Sequence, residues 1–155
     1  MSGQQIQLAP VTAENWKACI ALEVAPDQKD FLPTNLYSIA EAQFYAEARS
    51  TAIYNEVDHL VGYALYGRDL ATGKWKIFRI MIDRSHQGKG HGEQAMRAII
   101  TTIADEPDGD EILISYKMYN LVARALYAKL GFVEQRVDEQ GQVTAILKQS
   151  CAEIS

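Results

Sequence analysis

One stretch constrains this chain more than any other. From Trp75 to Gly92 it passes from alternating strand-type residues, through a polar glycine-rich bend, into a helix-type pattern. Trp75–Ile82 reads as a strand, with Phe78, Ile80 and Ile82 on one face and Ile77, Arg79 and Met81 on the other. Asp83 to Gly90 reads as a loop. His91 to Ile103 carries Ala95, Met96, Ile99 and Ile103 at the spacing of a sheet-packing helix. The joint is Gln87-Gly88-Lys89-Gly90-His91-Gly92. Glycines there let backbone approach a ligand closely. The free N–H groups of the helix's first turn, with the helix dipole, form an anion site. A phosphate-bearing ligand is the physical reading, and a plain structural turn is the alternative. A dinucleotide fingerprint needs a third glycine where Glu93 stands, and the G-x-x-x-x-G-K-S/T pattern is absent.

Charge points the same way. Residues 74–97 hold six bases (Lys74, Lys76, Arg79, Arg84, Lys89, Arg97) against two acids (Asp83, Glu93), a net of +4. Residues 1–60 hold three bases against eight acids, a net of −5, and the whole chain of 155 residues is −5. A mildly acidic chain is a poor candidate for gripping nucleic acid over a broad face. No apolar run is long enough for a membrane span, and no secretory signal is visible. Cys19 and Cys151 have neither disulfide-motif nor metal-ligand spacing, so a reduced cytoplasmic setting and no metal are expected.

The remaining elements define a class. Gln5–Leu8 reads as a strand closed by Pro10. A helix follows to about Glu23, with Trp16, Cys19, Ile20 and Leu22 inward and Pro26 as its stop. Ser38, with Glu41 three residues on, reads as the capping box of a helix from Ile39 to about Arg49. Thr51–Glu56 and His59–Tyr66 read as strands. Gly67–Gly73 reads as a turn and Glu111–Tyr116 as another strand. Asn120 to Leu130 reads as a helix ended by Gly131. Phe132–Val137 and Val143–Leu147 form a closing hairpin. Without linker, repeat or composition shift, residues 1–155 are expected to form a single domain. The class is α/β (α+β): a mixed, mostly antiparallel sheet with helices on both faces.

Two motifs carry a family resemblance. Ile80 through Gly92 resembles motif A of the GCN5-related N-acetyltransferases (GNAT), Q/R-x-x-G-x-G/A after a hydrophobic strand, with Gln87, Gly90 and Gly92 in place. Downstream, Asn120, Ala123, Leu126, Tyr127, Leu130, Gly131 and Phe132 are similar to the family's N-x-x-A-x-x-L-Y-x-x-x-G-F. The resemblance implies a splayed strand pair, Trp75–Ile82 and Glu111–Tyr116, that holds acetyl-CoA. The pyrophosphate would lie on Gln87, Gly88, Lys89, Gly90, His91 and Gly92. The pantetheine arm would run beside Ile80, Met81 and Ile82, and Asn120 would contact the arm. Tyr127 would protonate the departing thiolate, and an oxyanion would be steadied by a backbone N–H near Met81 or Ile82. Glu23, Asp83, His59, His86 and His91 are all possible bases by type, and none is chosen. A homodimer is also implied.

The acceptor is read from the N-terminal half. Leu22 to Leu32, Asn35, Ser38–Ala42 and the strand ending Phe78-Arg79-Ile80-Met81-Ile82-Asp83 are similar to the diamine and spermine/spermidine acetyltransferase branch. Polyamines are cationic, and Glu23, Asp27 and Asp30 are the expected acceptor contacts. The alternatives are another small amine, an amino acid or a protein N-terminus, or a CoA-binding module without catalysis.

Overall fold

A computed structural model describes residues 6–29, 32–45 and 47–149. Gln5, Asp30 and Cys151, named above, lie outside the described residues. Seven strands make one sheet: β1 (Gln7–Pro10), β2 (Arg49–Tyr54), β3 (Leu60–Arg68), β4 (Trp75–Ile82), β5 (Glu111–Lys117), β6 (Val133–Val137) and β7 (Gln142–Lys148). Their order is β1-β2-β3-β4-β5-β7-β6. Every neighbouring pair is antiparallel except β4 and β5, which are parallel. This is the mixed, mostly antiparallel sheet that the sequence implies.

Helices cover both faces. On one side α3 (His91–Ala104) buries Ala95, Met96, Ile99 and Ile103 completely, against Val61, Ile77 and Ile112 of the sheet. Helix α4 (Leu121–Lys129) adds Tyr127 to the same core. On the other side α1 (Trp16–Ala21) and α2 (Asn35–Glu41) cover Tyr63, Leu65 and Met81 of the sheet, with Cys19 of α1 buried among them. From Tyr63 to Tyr66 the side chains of β3 go alternately to the two faces, as a two-sided sheet demands.

The N-terminal helices differ from expectation. α1 ends at Ala21, because Leu22 is extended, and Trp16 is exposed rather than inward. α2 starts earlier: Thr34 is its N-cap, and the Thr34 hydroxyl accepts the Tyr37 N–H at 3.1 Å. Ser38 is a buried residue inside the helix and caps nothing. The helix tightens into a 3-10 turn at Ala42–Phe44, and Glu47 takes a positive φ of 56°, so Arg49 opens β2 instead of closing a helix. β3 runs on through Gly67 to Arg68, which shortens the expected turn.

The two faces of β4 also need correction. Leu65 pairs with Arg79 but Tyr66 pairs with Ile77, which leaves Phe78 as an extra residue, a β-bulge. The alternation flips there. Ile77 joins Ile80 and Ile82 on the α3 side, and Phe78 joins Met81 on the α1 side.

Candidate functional site

The bulge shapes the site. A bulge bends the strand that carries it. β4 pairs with β5 at Trp75–Ile112, Lys76–Leu113 and Ile77–Ile114, and the ladder stops where Phe78 begins. Beyond that point the strands splay. The Asp83 N–H bonds the Val61 carbonyl of β3 at 2.7 Å. By alternation, the peptide groups of Ile80 and Ile82 point the other way, into the splay, while that of Met81 belongs to the β3 ladder. Unpaired backbone of this kind is a ready template for an extended ligand.

A cavity of about 290 Å³ fills the splay and runs to the start of α3. Ile80, Met81 and Ile82 line one wall, and Ser115, Asn120 and Tyr127 line the opposite one. His86, Gln87, Gly88, Gly90, His91 and Gly92 close its far end.

That end is held by named bonds. Gln87 donates from Nε2 to the Ile82 carbonyl at 2.8 Å and to Gln28 Oε1 at 2.8 Å. Gly88 and Gly90 take φ of 81° and 85°, a region that L side chains avoid, and a Cβ on either would meet nothing within 4 Å. They leave an open cradle. Gly92 has ordinary φ and faces Ile82 instead. Gly90 stands at the N-cap of α3 and supplies no side-chain cap, so the first N–H groups of the helix stay available. His91, the first helical residue, is 4% exposed, and its Nδ1 has no hydrogen-bond partner.

The basic segment is less free than its count suggests. Lys74 pairs with Glu111, Lys76 with Asp69, Arg79 with Glu41 and Arg97 with Glu93. Among the described residues, Arg84 and Lys89 carry no ion pair, and both are exposed beside the loop. Arg97 therefore adds little to the anion site.

Asn120 and Tyr127 hold distinct positions on α4. The Asn120 side chain caps the helix, accepting the Ala123 N–H at 3.3 Å. Tyr127 is 8% exposed, with its ring 5.1 Å from that of Tyr116 and 6.0 Å from that of Phe132. No bond from its hydroxyl to another described residue is present. Burial pushes the phenol up to about 12, so it keeps its proton at neutral pH.

Of the acidic residues expected on the acceptor side, Glu23 and Asp27 are not in the cavity wall. Glu23 and Asp27 are exposed, and from that segment Val24, Gln28 and Leu32 face the cavity. Glu23 instead clasps the loop through its backbone: its N–H bonds Asp83 Oδ1 at 2.9 Å and its carbonyl accepts the Arg84 N–H at 2.7 Å. Sequence reasoning did not single out Gln28, although it lies within the Leu22–Leu32 stretch that carries the resemblance.

It also missed a ring of contacts at the vertex of the splay. Arg79 bonds the Phe78 carbonyl and Glu41, Glu41 accepts from Tyr45, and Tyr45 stacks on Phe78 at 4.4 Å. A second cavity of about 340 Å³ shares Phe78, Arg79 and Ser115 with the first.

Asp83 ties the loop to the N-terminal segment. Burial acts to raise its pKa, but bonds from the Ser85 hydroxyl and from the Glu23 and Ser85 N–H groups, with the nearby His86, outweigh this and hold it below the ordinary carboxylate range. A lowered folded-state pKa gives stability that is present above the unfolded pKa and lost as pH falls through the folded one. The urea midpoint of the protein should therefore exceed that of Asp83→Asn near neutrality, and the gap should close below about pH 4. A gap that does not change with pH would contradict this.

Comparison with known proteins agrees with this geometry. The family model for the acetyltransferase (GNAT) family matches residues 13–132. A spermine/spermidine N(1)-acetyltransferase of Bacillus subtilis (strain 168) is 29% identical over 133 residues, covering 82% of this chain and 87% of that protein. A probable spermine N(1)-acetyltransferase of Bacillus subtilis subsp. natto (strain BEST195) matches to the same extent, 29% over 133 residues. Among solved structures, a spermidine N-acetyltransferase from Vibrio cholerae in complex with CoA and spermine superposes with a TM-score of 0.69 at 17% identity, covering 94% of this chain and 96% of that one. A domain from Methanocaldococcus jannaschii superposes with a TM-score of 0.76 at 14% identity, covering 94% and 99%. With two motifs, a splayed parallel pair and a matching family model, the chain belongs to the acetyltransferase (GNAT) family of N-acyltransferases.

Proposed function

We propose that this protein is an acetyl-CoA-dependent N-acetyltransferase acting on a polyamine or diamine, such as spermine or spermidine, within a ternary complex. One observation carries the reading: a cavity that joins unpaired strand edge to a glycine cradle at a helix N-terminus. The residues present fit the cofactor. The open cradle, the first N–H groups of α3 and the exposed Arg84 and Lys89, which have no ion pair among the described residues, suit a diphosphate. When bound, acetyl-CoA supplies a thioester carbonyl that an amine attacks directly.

The chain's own residues do the rest. Ile80 offers its peptide groups and Ile82 its N–H to an extended arm, the Ile82 carbonyl being held by Gln87, with Met81 lining the wall beside them. An N–H in the splay at Ile80 or Ile82, rather than at Met81, steadies charge on a carbonyl oxygen. The backbone of Gln87, Gly88, Lys89, Gly90, His91 and Gly92 holds the diphosphate. Asn120 fixes the start of α4 beside the arm. Tyr127 holds a proton at its phenol oxygen for the leaving sulfur.

The acceptor class draws support from the relatives' names and from charge. Glu23 and Asp27 have no ion pair among the described residues, so they remain free to attract a cation at the rim, with Asp30 as the third expected contact. A single-amine acceptor is the second reading. It is favoured by the balanced vertex, where Arg79 offsets Glu41 and Lys76 offsets Asp69. The proposal carries with it a single domain, a homodimer and a cytoplasmic setting. A panel of spermine, spermidine, short diamines, monoamines and amino acids, read by thiol release from acetyl-CoA, tests the acceptor. Polyamines should exceed monoamines in kcat/KM by about fivefold, the worth of one extra surface charge contact of roughly 1 kcal/mol. Equal values across the panel would remove the polyamine assignment. CoA binding without turnover on any amine would favour a binding module.

A further inference from the structure

The second cavity meets the cofactor cavity at Phe78, Arg79 and Ser115, where the splay begins. Trp75 and Ile77 pack on the α3 side, so Lys76 between them lies on the opposite face. There its Nζ stands 5.7 Å from the centre of the Phe78 ring. Asp69, in the turn after β3, lines the same cavity. Its Oδ2 is held by Thr72, accepting the N–H at 3.0 Å and the hydroxyl at 2.9 Å. Its Oδ1 faces Lys76 Nζ at 3.8 Å, an ion pair too long for a hydrogen bond. The Lys76 and Asp69 side chains are 22% and 19% exposed, so water screens the pair only in part. A carboxylate beside an aromatic ring suits an alkylammonium group. Here the chain supplies that group itself. We propose that Asp69 and Phe78 form a seat for a second ammonium of the acceptor, that Lys76 fills the seat when no acceptor is bound, and that Lys76 thereby limits the preference for polyamines over monoamines. This rests on the acceptor reading above.

The rest of the cavity wall leaves this role to Lys76. Arg79 is committed to Glu41 and to the Phe78 carbonyl. Tyr45 donates to Glu41 while its ring stacks on Phe78. Ser115 and Gln142 are neutral. A polyamine that reaches the splay with one nitrogen has further ammonium groups to place. One that comes within hydrogen-bond distance of Asp69 Oδ1 holds it better than Lys76 does at 3.8 Å. The displaced lysine, a charge on a flexible stem, turns out to water. Such an exchange trades one cation for another, so its net gain is small. Without the Lys76 charge the seat stands open, and the whole contact goes to the acceptor.

The test compares kcat/KM for spermidine with that for butylamine, which has no second ammonium, by thiol release from acetyl-CoA. The ratio of the two does not depend on how much of a variant is folded. It should rise about fivefold in Lys76→Met, the worth of one charge contact. Lys76→Arg keeps a cation beside Asp69 and should hold the wild-type ratio. Asp69→Asn, added to Lys76→Met, keeps an acceptor for Thr72 and should return the ratio to the wild-type value. A ratio in Lys76→Met no higher than that of the wild type would overturn the proposal. So would the same rise in Lys76→Arg, or a rise that persists in the double variant. Acetylation of neither amine by the wild-type protein would overturn the acceptor reading, and this inference with it.

Discussion

Replacing Tyr127 with phenylalanine should lower turnover by about 10²- to 10⁴-fold, the usual worth of one positioned proton donor, while the Kd for CoA changes less than about twofold. The substitution removes one oxygen that bonds no other described residue. The ring keeps its packing on Tyr116 and Phe132, so folding should be intact. Because burial holds the phenol near 12, its proton is present over the whole working pH range. The activity profile of the wild-type protein should therefore show no loss from Tyr127 ionisation below about pH 10. Stopped-flow turnover beside equilibrium CoA binding reads both quantities. Undiminished turnover in the variant would remove Tyr127 as the proton source.

Gly90→Asp should abolish measurable CoA binding, raising Kd by about 100-fold or more, since strain and repulsion each cost roughly 1–2 kcal/mol or more. Gly90 sits at φ 85° with open space where a Cβ would go, so the side chain meets no wall. The damage would come from backbone preference and from a negative charge placed where the diphosphate belongs. Gly90→Asn separates the two. Asparagine tolerates the left-handed region and is neutral, so it should bind CoA more tightly than the aspartate variant. Equal affinity for both variants and the wild type, by titration calorimetry, would sink the loop assignment.

The elements that could be read from sequence are those whose signals are local. β4 has the expected bounds, Trp75–Ile82, because β-type residues fill it and turns flank it. The α3 face at Ala95, Met96, Ile99 and Ile103 follows from helical period alone. Gly131, expected to end the helix that starts at Asn120, takes a φ of 105°, a single-residue requirement. What escaped depends on partners distant in the chain. The bulge at Phe78 is set by the register with Leu65 and Tyr66 on β3, and no pattern within β4 reports it. Yet this bulge marks where the splay opens. Ser38 reads as a cap by type, but the helix starts one turn earlier, where the Thr34 hydroxyl accepts the Tyr37 N–H. The +4 segment counted Arg97 with Arg84 and Lys89, although Glu93 one turn earlier claims it. Glu23 reads as an acidic contact, but its backbone works as a clasp on Asp83 and Arg84.

The central claim is that the splay between β4 and β5 delivers an acetyl group from CoA to an amine. The most direct measurement is mass spectrometry of spermidine incubated with acetyl-CoA and the protein, beside the same mixture with Gly90→Asp. The account predicts mono-acetylated spermidine and free CoA in equal amounts with the wild-type protein, and neither above background with the variant. Free CoA without acetylated amine, or equal product from both proteins, would contradict it.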